Sequence, residues 1–228
     1  MNLSKTILFF IVIVSFFTCN NPQKKEKILV EETPKKIEEK VIEKRWDSLK
    51  YYNVDTFFDE YGKQNKETKV IIKTEFGSIK IRLFEDTPTH RANFIFLTKI
   101  GYFNSTVFYR VAKNFVIQGG NSDKIYTLKQ RNKYGNYKLK PEFRKNRTHK
   151  YGALAAAREW EENPNKLSTP FEFYIVHKRN GAHHLDKEHT VFGEVISGFD
   201  TMDKISKVKV GPDDWPIVDI KMTVEILD

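Results

Sequence analysis

Eight short stretches of strand-like sequence, divided by turns and interrupted by only two helix-like stretches, constrain this chain more than anything else in it. They fall at residues 70–74, 79–83, 107–111, 115–118, 153–157, 171–176, 190–195 and 218–227, and are rich in β-branched and aromatic residues. In the second, Ile79, Ile81 and Leu83 alternate with Lys80 and Arg82. In the last, Ile220, Met222, Val224 and Ile226 alternate with Lys221, Thr223 and Glu225. A period of two puts one set on a core and the other in water. Gly77-Ser78 breaks the run between the first two stretches and makes them a hairpin. Thr87 as N-cap, Pro88 at the first helical position and Gly101 as a stop predict a helix over 89–100, and a second, short one is predicted over 199–206. No βαβ rhythm or internal repeat is present. The pattern predicts a mainly β fold, a closed eight-stranded antiparallel barrel capped by two helices, because closure removes exposed sheet edges. Strict alternation in 107–111 puts Val107, Tyr109 and Val111 on one face and Phe108 and Arg110 on the other.

With 228 residues, 39% of them hydrophobic, the chain can bury one sizeable core. Its single cysteine excludes an internal disulfide and any cysteine-built metal cluster. A net charge of +9 arises from 39 basic residues spread among 30 acidic ones, with no long block of one sign. No zinc-finger spacing or helix-turn-helix pattern accompanies it, so no nucleic-acid partner is expected. Lys5 precedes an apolar run over 7–17 that ends at Thr18-Cys19. That run is too short for a bilayer-spanning helix, which needs about 20 residues, and suits a secretory signal. With the lone cysteine where the run stops and no small-x-small cleavage pattern, it resembles a bacterial lipoprotein signal; the alternative is a thiol that happens to fall there. The expected organisation is a signal peptide over 1–18, a charged tether over 19–45 beginning with a lipidated Cys19, a helical extension over 46–66 and the barrel over 67–228. A Lys/Glu-rich tether of this length spans ~30 Å. Trp46, Leu49, Tyr52, Phe57, Phe58 and Tyr61 mark one or two amphipathic helices packed on the barrel. The expected address is the cell envelope, with the protein lipid-anchored to a membrane. The basic segment 121–150 is expected to be a long loop.

The order of several blocks carries more than any one of them. Thr74-Glu75-Phe76-Gly77, Leu83-Phe84-Glu85-Asp86-Thr87-Pro88, Asn93-Phe94, Gly101-Tyr102-Phe103, Phe108-Tyr109-Arg110-Val111 and Phe115-Val116-Ile117-Gln118-Gly119-Gly120 are followed by Gly152-Ala153-Leu154-Ala155-Ala156-Ala157-Arg158, Phe173-Tyr174-Ile175-Val176 and His189-Thr190-Val191-Phe192-Gly193. In this sequence the chain resembles the cyclophilin-type peptidyl-prolyl isomerases from about residue 70 to 227.

The resemblance implies an eight-stranded barrel with two helices and rotation about X-Pro bonds, without a cofactor. It implies Arg110 and Gln118 as catalytic residues, with Phe115, Val116, Tyr174, Leu185 and His189 as a proline pocket. Ala157 and Arg158 match the strand that binds the peptide backbone, and Glu172 is a further substrate-side position. Several positions depart from the family pattern. Tyr109 stands for a common histidine, Val116 for a frequent Met, Arg158 for a frequent Asn, and His184 lies where some members carry Trp. Glu172 stands for the usual Gln, and its carboxylate is expected to pair with Arg110. The partners implied are proline-containing polypeptides, and the protein is expected to act as a monomer. A non-catalytic module that docks proline-containing segments on the same fold is the alternative. His183, His184, His189 and Asp186 lie close in sequence, but adjacent histidines on an extended segment point opposite ways, so no metal site is expected.

Overall fold

The computed structural model describes residues 49–227, apart from 51 and 136. The expected signal peptide, Cys19, the tether and Trp46 lie outside the described residues. Among the described residues are nine strands: β1 (Lys69–Thr74), β2 (Gly77–Leu83), β3 (Val107–Ala112), β4 (Val116–Asn121), β5 (Ala153–Ala156), β6 (Phe173–Val176), β7 (Val191–Ser197), β8 (Ile220–Lys221) and β9 (Thr223–Leu227). Four α-helices accompany them: α1 (Val54–Gln64), α2 (Pro88–Lys99), α3 (Ile125–Tyr134) and α4 (Phe199–Ile205).

The strands form one antiparallel sheet in the order β8-β3-β4-β6-β5-β7-β2-β1-β9. Its two edge strands are consecutive in the chain, with only Met222 between them. The stretch expected as one strand therefore pairs Ile220 with Phe108 of β3 and then Val224 with Ile72 of β1, so it brings the two edges together and nearly closes the barrel. The strand count becomes nine instead of eight because no straight strand can serve both partners. Met222, at the break, is buried. Inside, Ile72, Ile79, Ile81 and Leu83 join Phe108, Ile117, Leu154, Phe173 and Ile175 in one apolar core. The alternation expected for β2 is seen residue by residue.

Helix α2 is buried from His90 to Thr98. Its N-terminus is not capped by Thr87, whose hydroxyl donates to the Phe84 carbonyl. Glu142, far along the chain, accepts from the Thr89 and His90 backbone N–H groups at 3.1 and 2.9 Å instead. A carboxylate there satisfies two free donors and faces the positive end of the helix dipole. The extension covers the other side of α2. Phe57, Phe58 and Tyr61 of α1 pack against Phe96, and Gly62 lets the two backbones close up, since a Cβ there would come within 3.2 Å of Ala92 Cβ. Buried Arg91 donates to the carbonyls of Gly62, Asn65 and Glu67, supplying a cation to the C-terminal end of α1.

The segment 121–150 is not wholly a loop, as it holds α3. This helix has its polarity turned inside out. Ile125, Tyr126 and Leu128 are exposed, while Thr127 is fully buried and donates to the Ser105 carbonyl at 2.8 Å. Only Tyr134, at the end of the helix, is aromatic and buried, so a reading by apolar periodicity has no inward stripe to find there.

Candidate active site

Two irregularities in the β3/β4 pairing build the site. Val107 pairs with Asn121 but Phe108 with Gly119, so Gly120 is skipped; Arg110 then pairs with Gln118, so Tyr109 is the extra residue on β3. Gly120 has φ +96°, and a Cβ there would lie 2.1 Å from the Phe171 carbonyl oxygen, which excludes any other residue. The bulge at Tyr109 corrects the strict alternation expected for this strand. Phe108 enters the core against Phe173, whereas Arg110 turns outward beside Gln118.

Arg110 and Gln118 open onto a groove of about 350 Å³, which is also lined by Phe115, Val116, Ala157, Arg158, Tyr174, Leu185 and His189. All the expected site residues of the barrel meet there except Glu172. The floor is apolar and held from behind. The Tyr174 hydroxyl is 2.9 Å from Nε2 of buried His149, whose Nδ1 lies 2.8 Å from Asp186 Oδ1. Burial raises the Tyr174 phenol well above its ordinary range and lowers the His149 imidazole below its own. Burial also pushes His189 down to about 4, and its Nδ1 donates to the Ala156 carbonyl at 3.0 Å. At neutral pH the floor therefore consists of uncharged rings and aliphatic groups.

The opposite side is polar and half-exposed. Arg110 Nη2 donates to Asp214 Oδ2 at 3.1 Å, with the two side chains 35% and 39% exposed. This single contact is the guanidinium's partner among the described residues, and it leaves most of its N–H groups for a ligand. Glu172 does not pair with Arg110 as expected. Its carboxylate accepts from Arg131 of α3 at 2.8 Å and from the Tyr109 hydroxyl at 2.9 Å. Helix α3, invisible in the sequence pattern, supplies the competing cation. Gln118 Nε2 in turn donates to the Tyr109 hydroxyl.

The edge expected to meet a peptide backbone is shorter than the sequence suggests. Ala157 uses both its backbone groups internally, N–H to Glu172 O and C=O from Thr169 N–H, so Arg158 is the residue whose backbone remains. The Arg158 side chain is committed to Glu188, through both its backbone and its carboxylate, and to Glu159 O. Its guanidinium also lies 4.1 Å from the ring centre of Trp160. Trp160 lines the groove, is 60% exposed and meets His189 edge-on. Reading the sequence missed it, although a tryptophan among Glu159, Glu161 and Glu162 just after a strand is a signal in itself. Of the clustered histidines, His183 pairs with Asp186 and His184 stacks on Phe115.

Such a groove can hold an uncharged ring on its floor and present hydrogen-bond donors from one side. The profile of the cyclophilin type peptidyl-prolyl cis-trans isomerase/CLD family matches residues 69–225. This chain belongs to the cyclophilin family. Peptidyl-prolyl cis-trans isomerase CYP18-1 of Arabidopsis thaliana is 33% identical over 155 residues, covering 67% of this chain and 91% of its own. Peptidyl-prolyl cis-trans isomerase-like 2 of Rhizopus delemar is 35% identical over 164 residues, covering 71% of this cyclophilin and 29% of the longer fungal protein. Among solved structures, a cyclophilin type isomerase of Cryptosporidium parvum, crystallised in the presence of the dipeptide Ala-Pro, is 26% identical with a TM-score of 0.59. That match covers 70% of this chain and 99% of the other. Peptidyl-prolyl isomerisation is the activity of the family, and the cyclophilin barrel described above agrees with it.

Proposed function

We propose that this cyclophilin isomerises X-Pro bonds of exported polypeptides in a bacterial cell envelope, tethered there by a lipid on Cys19. In this reading Arg110 and Gln118 act on the turning amide and the apolar floor grips the proline ring. The observation that carries it is the convergence in one groove of an accessible guanidinium, an amide and an uncharged floor.

Rotation about the X-Pro bond is slow because resonance gives it partial double-bond character, with a barrier of ~18–20 kcal/mol. No covalent bond breaks and no proton must leave the substrate. Once the amide turns out of plane, the proline nitrogen is no longer conjugated and its lone pair becomes an acceptor. A guanidinium held beside it gains a hydrogen bond only in the twisted state, which lowers the barrier instead of merely tightening binding. Phe115, Val116, Tyr174, Leu185 and neutral His189 offer the ring an environment without charge. Gln118 is placed to bond the flanking peptide group, and Arg158 offers the first free backbone along the groove.

The test is a coupled prolyl isomerisation assay on the full chain in detergent, with Arg110→Ala as control. Turnover that the substitution abolishes supports the enzyme. Peptide binding without turnover in either protein supports a docking module instead. The address rests on the leader's resemblance to a lipoprotein signal. Mass measurement of membrane-extracted protein is expected to show acylation at Cys19, and a mature chain starting elsewhere with a free thiol refutes the anchor.

A further inference from the structure

We propose that Arg131, Glu172 and Tyr109 form a positioning relay that sets the orientation of the Gln118 amide, so that helix α3 shapes a groove it does not line. The proposal rests on the isomerase reading above for its kinetic consequence, though not for its geometry.

The relay has a direction that follows from counting donors. A carboxylate only accepts. Glu172 receives Arg131 Nη1 on Oε1 at 2.8 Å and the Tyr109 hydroxyl on Oε2 at 2.9 Å. Tyr109 has one proton and has given it to Glu172, so toward Gln118 it can only accept. The Gln118 atom facing it must then be Nε2, the arrangement seen. This fixes which way the amide is turned, with Oε1 and the second N–H held in a single arrangement at the groove. A glutamine at 172 could donate as well as accept, and the amide of Gln118 would then be satisfied in either orientation.

The parts are held firmly enough to act this way. The side chains of Glu172 and Arg131 are 16% and 24% exposed, and the Arg131 guanidinium also lies 5.3 Å from the Phe171 ring centre. Tyr109 is packed against Trp215, the neighbour of the Asp214 that meets Arg110. Burial and the adjacent carboxylate keep the Tyr109 phenol far above its ordinary range, so it stays a donor to Glu172. These three are positioning residues, acting through Gln118.

The test uses the full chain and two readouts. In the isomerisation assay, Tyr109→Phe and Glu172→Gln are each expected to lower kcat/KM roughly fivefold, the worth of one oriented hydrogen bond. Arg131→Met should do the same and Arg131→Lys should recover most of it. In a Gln118→Ala background all these effects should vanish, because the group they position is gone. Independently of turnover, the chain has four glutamines, so glutamine side-chain labelling gives few NMR signals and Gln118→Ala assigns the relevant pair. Tyr109→Phe should shift that pair strongly and leave the others in place, and so should Glu172→Gln, whose own added fifth pair is identified as the new signal that persists when Gln118→Ala is combined with it. Equal losses with and without Gln118, or an unmoved Gln118 signal, overturn the relay. A wild-type chain that does not isomerise refutes the functional reading, and the Gln118 signal then decides the relay alone.

Discussion

The two sides of the groove are built by opposite means. On the floor, Tyr174, Leu185 and His189 are buried, and the titratable groups among them are kept neutral by burial. On the donor side, Arg110 is half-exposed and its neighbours are a carboxylate, a phenol and a guanidinium tied by hydrogen bonds. Packing gives the floor its shape and makes it insensitive to salt. Electrostatics gives the donor side its aim, which leaves it open to disturbance by a single charge. In the function proposed above, the floor selects proline and the donor side lowers the barrier.

That division can be broken in four ways. The largest effect should come from Arg110→Lys, which keeps the charge but loses the planar fork. Turnover should fall roughly a hundredfold with peptide affinity little changed, measured by isomerisation kinetics beside calorimetry. Next is acid. The unfolded His189 imidazole titrates near the ordinary histidine value of 6.5 and the folded one at about 4, so between those values only the unfolded chain takes up the proton. Stability should be full above that window and decline as pH falls through it. At roughly 1.4 kcal/mol per pH unit the His189 share of the loss reaches about 3 kcal/mol, measurable by denaturant titration at several pH values as the part of the slope that His189→Gln removes, with depressed His149 and His177 still contributing. Third, His149→Leu leaves the Tyr174 hydroxyl without its partner and removes one of three contacts to Asp186, and it should cost about 2 kcal/mol of stability, raising KM more than it lowers kcat. The smallest effect is expected from Asp214→Asn, which frees Arg110 from an exposed pair. Turnover should change by less than about fivefold at low salt and by nothing measurable at high salt. A large loss there would show that Asp214 aims Arg110, and would sharpen the contrast between the two sides.

Much of this was legible in the residues. The alternation in β2, the Thr87-Pro88 helix start and the run ending in Gly119-Gly120 are local patterns, and they survive in the structure because local geometry causes them. What was not legible depends on partners distant in the chain. Glu142 caps α2 from more than fifty residues away, and Arg91 caps α1. The bulge at Tyr109 separates Phe108 from Arg110 because β3 must meet β4 across Gly120. Helix α3 hides behind outward apolar residues, so neither Arg131 nor its claim on Glu172 could be read from spacing.

The chain's own order of residues determined that it makes a β-rich barrel, since period-two patterning and turn residues act over a few positions, while the side chains that meet in the groove were indicated only by the resemblance of its motifs to the cyclophilins. Tertiary structure alone decided which charges meet. Arg110 facing Asp214 and Glu172 facing Arg131 are contacts across 104 and 41 residues of chain. A charge's partner depends on where the backbone returns in space, which one-dimensional spacing does not encode.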